Sequence, residues 1–258
     1  MSAIKSIRFI LGDQLSVSLA SLRDADPDHD LIVMAEPNSE ANYVAHHRQK
    51  IVFILSAMRH FAHELREKGF AVCYFDYENQ PTNSFSDALK LALKNHPVKH
   101  VIITEPGEWR IRTEIETWAD KFGIVLDVRD DDRFFAPLSV FAEFAENRKE
   151  LRMEYFYRQL RRTTGILMEP DGKPVGGQWN FDHDNRKRLP DDHRPPSPLT
   201  FKPDSITQAL LNRVKQDFPN ACGDHKSFGW AVTRRDALTV LDHFIEHRLP
   251  LFGDYQDA

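Results

Sequence analysis

The chain of 258 residues is 41% hydrophobic and 28% charged, the composition of a globular protein rather than a disordered or membrane-embedded one. A formal net charge of −5 argues against a protein that coats nucleic acid with its whole surface. No apolar run reaches bilayer-spanning length and Met1 to Lys5 is too brief for a signal-peptide core. Two cysteines, Cys73 and Cys222, are too few for a disulfide framework or a four-cysteine site, so a cytoplasmic protein with reduced thiols is expected.

In chain order, Ile7 to Leu11 is a short apolar run stopped by Gly12-Asp13, the pattern of a buried strand and a turn. Leu31 to Ala35 repeats it and ends at Glu36-Pro37-Asn38. One long helix is expected over roughly Tyr43 to Lys68, with Ile51, Ile54, Leu55, Met58, Phe61 and Leu65 at helical spacing and Gly69 as its stop. Phe70 to Phe75 is the next strand, and Ser84 or Ser86 opens another helix. His100 to Thr104 is a strand ending in Glu105-Pro106-Gly107. A helix carrying Trp109, Ile111, Ile115 and Trp118 runs to Gly123, and Ile124 to Val128 makes a fifth strand closed by Asp130-Asp131-Asp132. Strands alternating with helices predict a five-stranded parallel Rossmann- or flavodoxin-like sheet flanked by helices.

After about Arg133 the strand signal stops. Helices are expected over Pro137 to Asn147, Met153 to Thr164, about Ser205 to Phe218, and Thr233 to Arg248. Between them lies a long segment rich in Pro, Gly, Asp and Arg, Gly165 to Pro203, whose length marks a functional loop or an interdomain linker. The implied division is 1–133, an α/β domain; 134–204, helices and linker; and 205–258, the start of a helical domain.

In an open parallel sheet, ligands bind beyond the carboxyl ends of the strands. Gly12-Asp13-Gln14, Glu36, Glu40, Glu105 and Asp130 to Asp132 fall there, an acidic edge. Neither a G-x-G-x-x-G nor a Walker sequence is present to cradle phosphate. A neutral, hydrogen-bonding heterocycle with a polyol tail suits such an edge better than a dinucleotide, with Asp13 and Glu40 accepting from its donors and Tyr43 and Ile54 facing or walling the ring. The competing reading makes Asp13 a turn cap and Glu40 a surface ion-pair partner.

Other clusters carry less chemistry. His46-His47 and His60/His63 lack the spacing of a helical metal site, and Asp182-His183-Asp184 stands alone in the loop. Arg148, Lys149, Arg152, Arg158, Arg161 and Arg162 form a basic run that is either a solvated helix face or a phosphate-facing patch. Trp179, in Gly176-Gly177-Gln178-Trp179-Asn180-Phe181, precedes Arg186-Lys187-Arg188. Aromatic and basic residues so interleaved can engage nucleic acid or plug an interface. An enzyme of another class would use Asp13 and the carboxylates around Asp130 to hold Mg²⁺ for phosphoryl transfer.

Five stretches carry a family resemblance: Ile10-Leu11-Gly12-Asp13-Gln14-Leu15-Ser16; Ile54-Leu55-Ser56-Ala57-Met58-Arg59-His60-Phe61; Thr104-Glu105-Pro106-Gly107-Glu108-Trp109-Arg110; Met153-Glu154-Tyr155-Phe156-Tyr157-Arg158; and Gly176-Gly177-Gln178-Trp179-Asn180-Phe181-Asp182. In this order the chain resembles the N-terminal half of the bacterial iron–sulfur branch of the photolyase/cryptochrome family, which includes (6-4) photolyases. The resemblance implies an α/β antenna domain, a long linker and the start of a helical domain. It implies a 6,7-dimethyl-8-ribityllumazine antenna pigment held at Gly12, Asp13, Gln14, Glu40, Tyr43 and Ile54. It further implies UV-damaged DNA as partner of a full-length protein, with Arg158, Arg161, Arg162, Trp179, Arg186 and Lys187 as candidate contacts. FAD and a 4Fe–4S cluster are expected only in a full-length relative, in a domain that would follow Ala258. The chain is therefore expected to be a truncated antenna and linker part that is not catalytically competent by itself.

Overall fold

The structure, a computed structural model, describes residues 3–192, 194 and 196–256. Five short strands, β1 (Ser6–Ile10), β2 (Asp30–Ala35), β3 (Ala71–Phe75), β4 (His100–Thr104) and β5 (Val125–Arg129), form one parallel sheet in the order β3-β2-β1-β4-β5. This is the parallel α/β architecture expected from the alternating pattern. Every residue of β1 and β2 is buried, which is why both read as mainly apolar runs rather than alternating ones, with Ser6, Arg8 and Asp30 as the polar exceptions. The strand order reverses on either side of β1, so the carboxyl ends of β1, β2 and β4 face a single crevice.

Two cores follow from the two sheet faces. On one, Ile7, Phe9, Leu31, Val33, Val101 and Ile103 pack against α3 (Phe85–Asn95), α4 (Trp109–Glu116) and α5 (Trp118–Phe122). Trp118 is fully buried there; its indole nitrogen donates to Ser86 Oγ at 2.9 Å and so leaves no orphan donor. On the other face, Ile10, Ile32 and Met34 meet Ile51, Val52, Leu55, Met58 and Phe61 of α2 (Arg48–Glu67). Leu210, Leu211 and Val214 of α8 (Ser205–Asp217) pack into that same core.

The face shared with α2 also buries a charge. Arg8 is 4% exposed and its Nε donates to Asp30 Oδ2 at 2.7 Å, with Ser6 Oγ donating to the other oxygen of Asp30. The guanidinium is completed by Ser21 O, Asp24 O and the Asp24 carboxylate, which Arg129 also grips. Hydrogen bonding by Arg129, and then by Arg8, holds the Asp24 carboxyl well below the usual range against a desolvation that opposes it.

The expected long helix is interrupted. α1 (Asn38–Asn42) precedes α2, and residues 43–47 form a turn between them. The cause is tertiary: Cys222 N donates to His46 O, Arg48 N donates to Cys222 O, and His47 Nδ1 caps α2 by accepting from Gln49 N. Backbone groups engaged across the chain in this way cannot continue a helical ladder. The helix expected over Trp109 to Gly123 is likewise two, divided at Thr117, and it ends with Gly123 at φ 62°, where a side chain would be strained.

By internal contacts the chain forms two units, Met1–Asp131 with Thr200–Ala237, and Asp132–Leu199 with Leu238–Ala258; the second division falls inside α9 (Arg234–His247). The second unit contains α6 (Leu138–Ala145), α7 (Met153–Thr164) and α10 (Leu249–Tyr255), the last a helix where no element was expected. Asp257 and Ala258 lie outside the described residues. Among the described residues no helix is long and apolar enough to cross a membrane.

Candidate functional site

The first unit contains a cavity of about 330 Å³ at the carboxyl ends of β1, β2 and β4. That is at the small end of the range for small-molecule pockets, about 300–1,000 Å³. The turn after β1 supplies Leu11, Gly12 and Asp13, the loop after β2 supplies Glu36 to Asn38, and the loop after β4 supplies Pro106 to Glu108. Ile51, Ile54, Leu55 and Met58 of α2 form an apolar wall, with Phe85, Ile111 and Phe218 opposite and beside it. A Cβ on Gly12 would lie 2.9 Å from Met58 Sδ and 3.5 Å from Ile54 Cγ2, so glycine lets the β1 turn pass directly under α2.

Of the residues singled out from the sequence, Gly12, Asp13, Glu40, Tyr43 and Ile54 line this one cavity. They reach it from three separate elements. Gln14 does not line it. Its side chain is fully buried, with Nε2 donating to Thr104 O at 3.1 Å and Glu105 O at 3.2 Å. Gln14 therefore ties the β1 turn to the end of β4 and sets the width of the crevice.

The rim is formed by α1 and α4. Glu40 receives two bonds from Arg110, Nη1 to Oε1 and Nη2 to Oε2, each 2.8 Å. The same guanidinium lies 4.5 Å from the Tyr43 ring centroid, and the Tyr43 ring meets His46 edge-on at 5.0 Å. His46 and Lys50 also line the cavity, with Lys50 Nζ 3.4 Å from His46 Nδ1.

Glu36, on the floor, is 4% exposed and carries four hydrogen bonds. Arg59 donates through Nε (2.8 Å) and Nη2 (2.9 Å), the Tyr74 hydroxyl at 2.5 Å, and Tyr77 N at 3.2 Å. Burial, and then the Glu36 carboxylate beside it, push the Tyr74 phenol well above its usual range, so it stays a donor. Tyr77, also in the lining, donates to Asp217 at 2.8 Å and packs at a tilt against Phe218, ring centroids 5.1 Å apart. Burial, and then that bond, raise its phenol too. A carboxylate so fully bonded has little capacity left for a ligand; it fixes the floor.

Sequence reasoning missed His46, Lys50, Met58, Tyr77, Glu108 and Phe218 as lining residues. Met58 stands in the periodic pattern of α2 and Glu108 in the Glu-Pro-Gly-Glu turn after β4, but neither signal gives a direction. Phe218 comes from the far end of α8, and no local pattern points it at β1.

The metal-holding alternative finds no ligand set. Among the described residues no three His, Cys, Asp or Glu side chains come together to hold an ion. Asp13 lines the cavity and Asp130 does not.

In the second unit, Arg158, Arg161 and Arg162 gather around Trp179, their guanidinium carbons 5.3, 5.5 and 4.6 Å from its ring. Arg161 is buried and bonded to Leu167 O and Tyr157 Oη; Arg158 pairs with Glu154 at 2.8 Å. At about 0.5–1 kcal/mol for an exposed cation–π contact, the stack fastens the 179 loop to α7. Arg158 and Arg162 also edge an open polar hollow with Arg148, Tyr155 and Gln159. Arg186 is exposed further along the loop, and Lys187 pairs with Asp254 at 2.7 Å.

Comparison with known proteins adds three findings. Residues 8–230 match the family described as deoxyribodipyrimidine photo-lyase-related protein. A (6-4) photolyase of Agrobacterium fabrum is 47% identical over 251 residues, 96% of this chain and 49% of that protein, so the chain spans about half the relative's length. Uncharacterized protein R852 of Acanthamoeba polyphaga mimivirus is 21% identical over 196 residues, 72% of this chain and 96% of that protein.

Proposed function

The chain belongs to the family of deoxyribodipyrimidine photo-lyase-related proteins, and from that premise we propose that its strand-end cavity is an antenna site for a lumazine-type pigment. The observation that carries the reading is the cavity itself: a slot walled by Ile54, Leu55, Met58 and Phe218, with Asp13 and Glu40 at its edges. A lumazine is a flat bicycle with a ring N–H and a ribityl chain of hydroxyls, so it needs apolar faces and acceptors in one place. Ile54 and Met58 of α2 supply the apolar wall against one face of the ring. Asp13 and Glu40 accept from the donors, and Tyr43 closes over the ring.

When bound, the pigment supplies absorption in the near ultraviolet and violet. The protein's part is to hold it rigid and dry. Acidic edges and the absence of a glycine-rich amide cradle disfavour a phosphate-bearing dinucleotide at this point. The same reading places the protein in the cytoplasm, where two free thiols, Cys73 and Cys222, are commonplace.

Photolyase activity, the one in the name of the Agrobacterium relative, is proposed for a protein of that relative's length and is assigned to no residue of this chain. The same holds for FAD. A 4Fe–4S cluster takes four thiolates, and this chain has two cysteines.

The test is a titration with 6,7-dimethyl-8-ribityllumazine. Saturable binding, with a shifted near-ultraviolet band and altered fluorescence, is expected. An unchanged spectrum at millimolar pigment would overturn the proposal.

A further inference from the structure

We propose that Arg110 is the positioning residue of this site, holding Glu40 and Tyr43 toward the ligand and thereby setting both affinity and residence time. The inference rests on the pigment reading above and deepens it. Arg110 does not itself line the cavity, but the three side chains it touches, Glu40, Tyr43 and Glu108, all do.

The rim needs such a fastening. α1 has five residues, none buried, and so short a helix has no stability of its own. Its start is held by Asn38 N to Thr82 O (2.9 Å) and Ser39 N to Asn83 O (3.1 Å), and the turn after it by Cys222 N to His46 O (2.9 Å). Between those anchors, Glu40 and Tyr43 are tied to α4 through Arg110. The fork meets both oxygens of Glu40 and fixes the plane of the carboxylate, while the guanidinium face restricts a tyrosine ring that is otherwise half exposed.

Lone-pair counting shows what remains for a ligand. Glu40 Oε1 accepts from Arg110 and from Ser39 Oγ at 3.1 Å, whereas Oε2 accepts from Arg110 alone. One acceptor site on Oε2 is left in a fixed direction, suited to a single N–H or O–H donor. Glu108 braces the other side of the guanidinium, accepting from Nε at 2.9 Å. Lysine could keep the charge but neither the planar fork nor the stacked face, so a rim built this way distinguishes the two cations.

The experiment measures lumazine affinity and dissociation rate for wild type, Arg110→Met, Arg110→Lys, Glu40→Gln and the Arg110→Met/Glu40→Gln double variant, with thermal melting alongside. Arg110→Met is expected to weaken binding about tenfold or more and to speed dissociation, with no rescue by Arg110→Lys. The double variant is expected to bind no worse than Glu40→Gln alone, because the two residues act as one unit. A purely structural role would lower the melting temperature and leave the losses multiplicative. Because Arg110 is 38% exposed, its loss leaves no buried gap, and should Arg110→Met still melt early, Arg110→Lys carries the same comparison. Wild-type binding with Arg110→Met within twofold, or multiplicative losses, overturns this inference and leaves the pigment reading standing. No binding by wild type overturns both.

Discussion

Replacing Ile54 by tryptophan is expected to weaken lumazine binding by at least a factor of about 100, which is about 2.7 kcal/mol, while the protein stays folded. Ile54 is partly buried on α2, faces the cavity beside Met58, and lies close to the Gly12 turn. An indole there extends into empty space, so it occupies the ligand's position without the strain of overpacking a filled core, typically about 1–3 kcal/mol. The measurement is the pigment titration with circular dichroism and a melting curve on the same sample. Full affinity in a folded Ile54→Trp protein would place the pigment elsewhere.

Replacing Asp30 by alanine is expected to cost about 3–5 kcal/mol of folding stability, because it strips a buried guanidinium of its inner partner. Arg8 shares its strand face with Ser6 and Asp30 at one end and apolar residues such as Ile10, Ile32 and Met34 at the other, and it is tolerated because Asp30, Asp24, Ser21 O and Asp24 O satisfy it. Asp24 stays in place in the variant, but its side chain is exposed and water already weakens its hold. Ser6 Oγ and Asp26 N also lose their acceptor. Urea unfolding should show the midpoint falling with little change in slope. A loss below about 1 kcal/mol would mean that Arg8 finds water or Asp24 without cost, and that the network does not hold the β1–β2 pair. Arg8→Met with Asp30→Leu should recover part of the loss, since a matched apolar pair removes the desolvation penalty altogether.

The sheet was legible in the sequence for a simple reason. β1 and β2 are covered on both faces and β4 over most of its length, so each strand shows as a mainly apolar run closed by a turn that contains Gly or Pro. The long helix was legible only from Arg48 onward. What stops it before Arg48 is a backbone pairing with Cys222, about 175 residues away, and nothing between Tyr43 and His47 announces that partner. The same remote segment brings Phe218 to the cavity, and α8, expected at the start of a further domain, packs on α2 in the first unit.

The site was legible to a similar depth. Strand ends in an open parallel sheet locate a crevice, and Gly12, Asp13, Glu40, Tyr43 and Ile54 all reach it. Gln14 shows the limit of proximity: adjacent to Asp13 in the chain, it turns inward and bridges β1 to β4. Arg110 shows the converse. It sits in Thr104 to Arg110, one of the stretches that carry the resemblance, yet its work depends on Glu40 and Tyr43 approaching from across the crevice, a relation carried by folding and not by spacing.

The most direct test of the antenna reading is a crystal structure of the protein grown with 6,7-dimethyl-8-ribityllumazine. The bicyclic ring is expected between Ile54 and Tyr43, with a donor within hydrogen-bond distance of Glu40 Oε2 and another of Asp13. A ring seated outside the cavity bounded by β1, β2 and β4, or a cavity filled by rearranged side chains while the pigment is bound elsewhere, would contradict it.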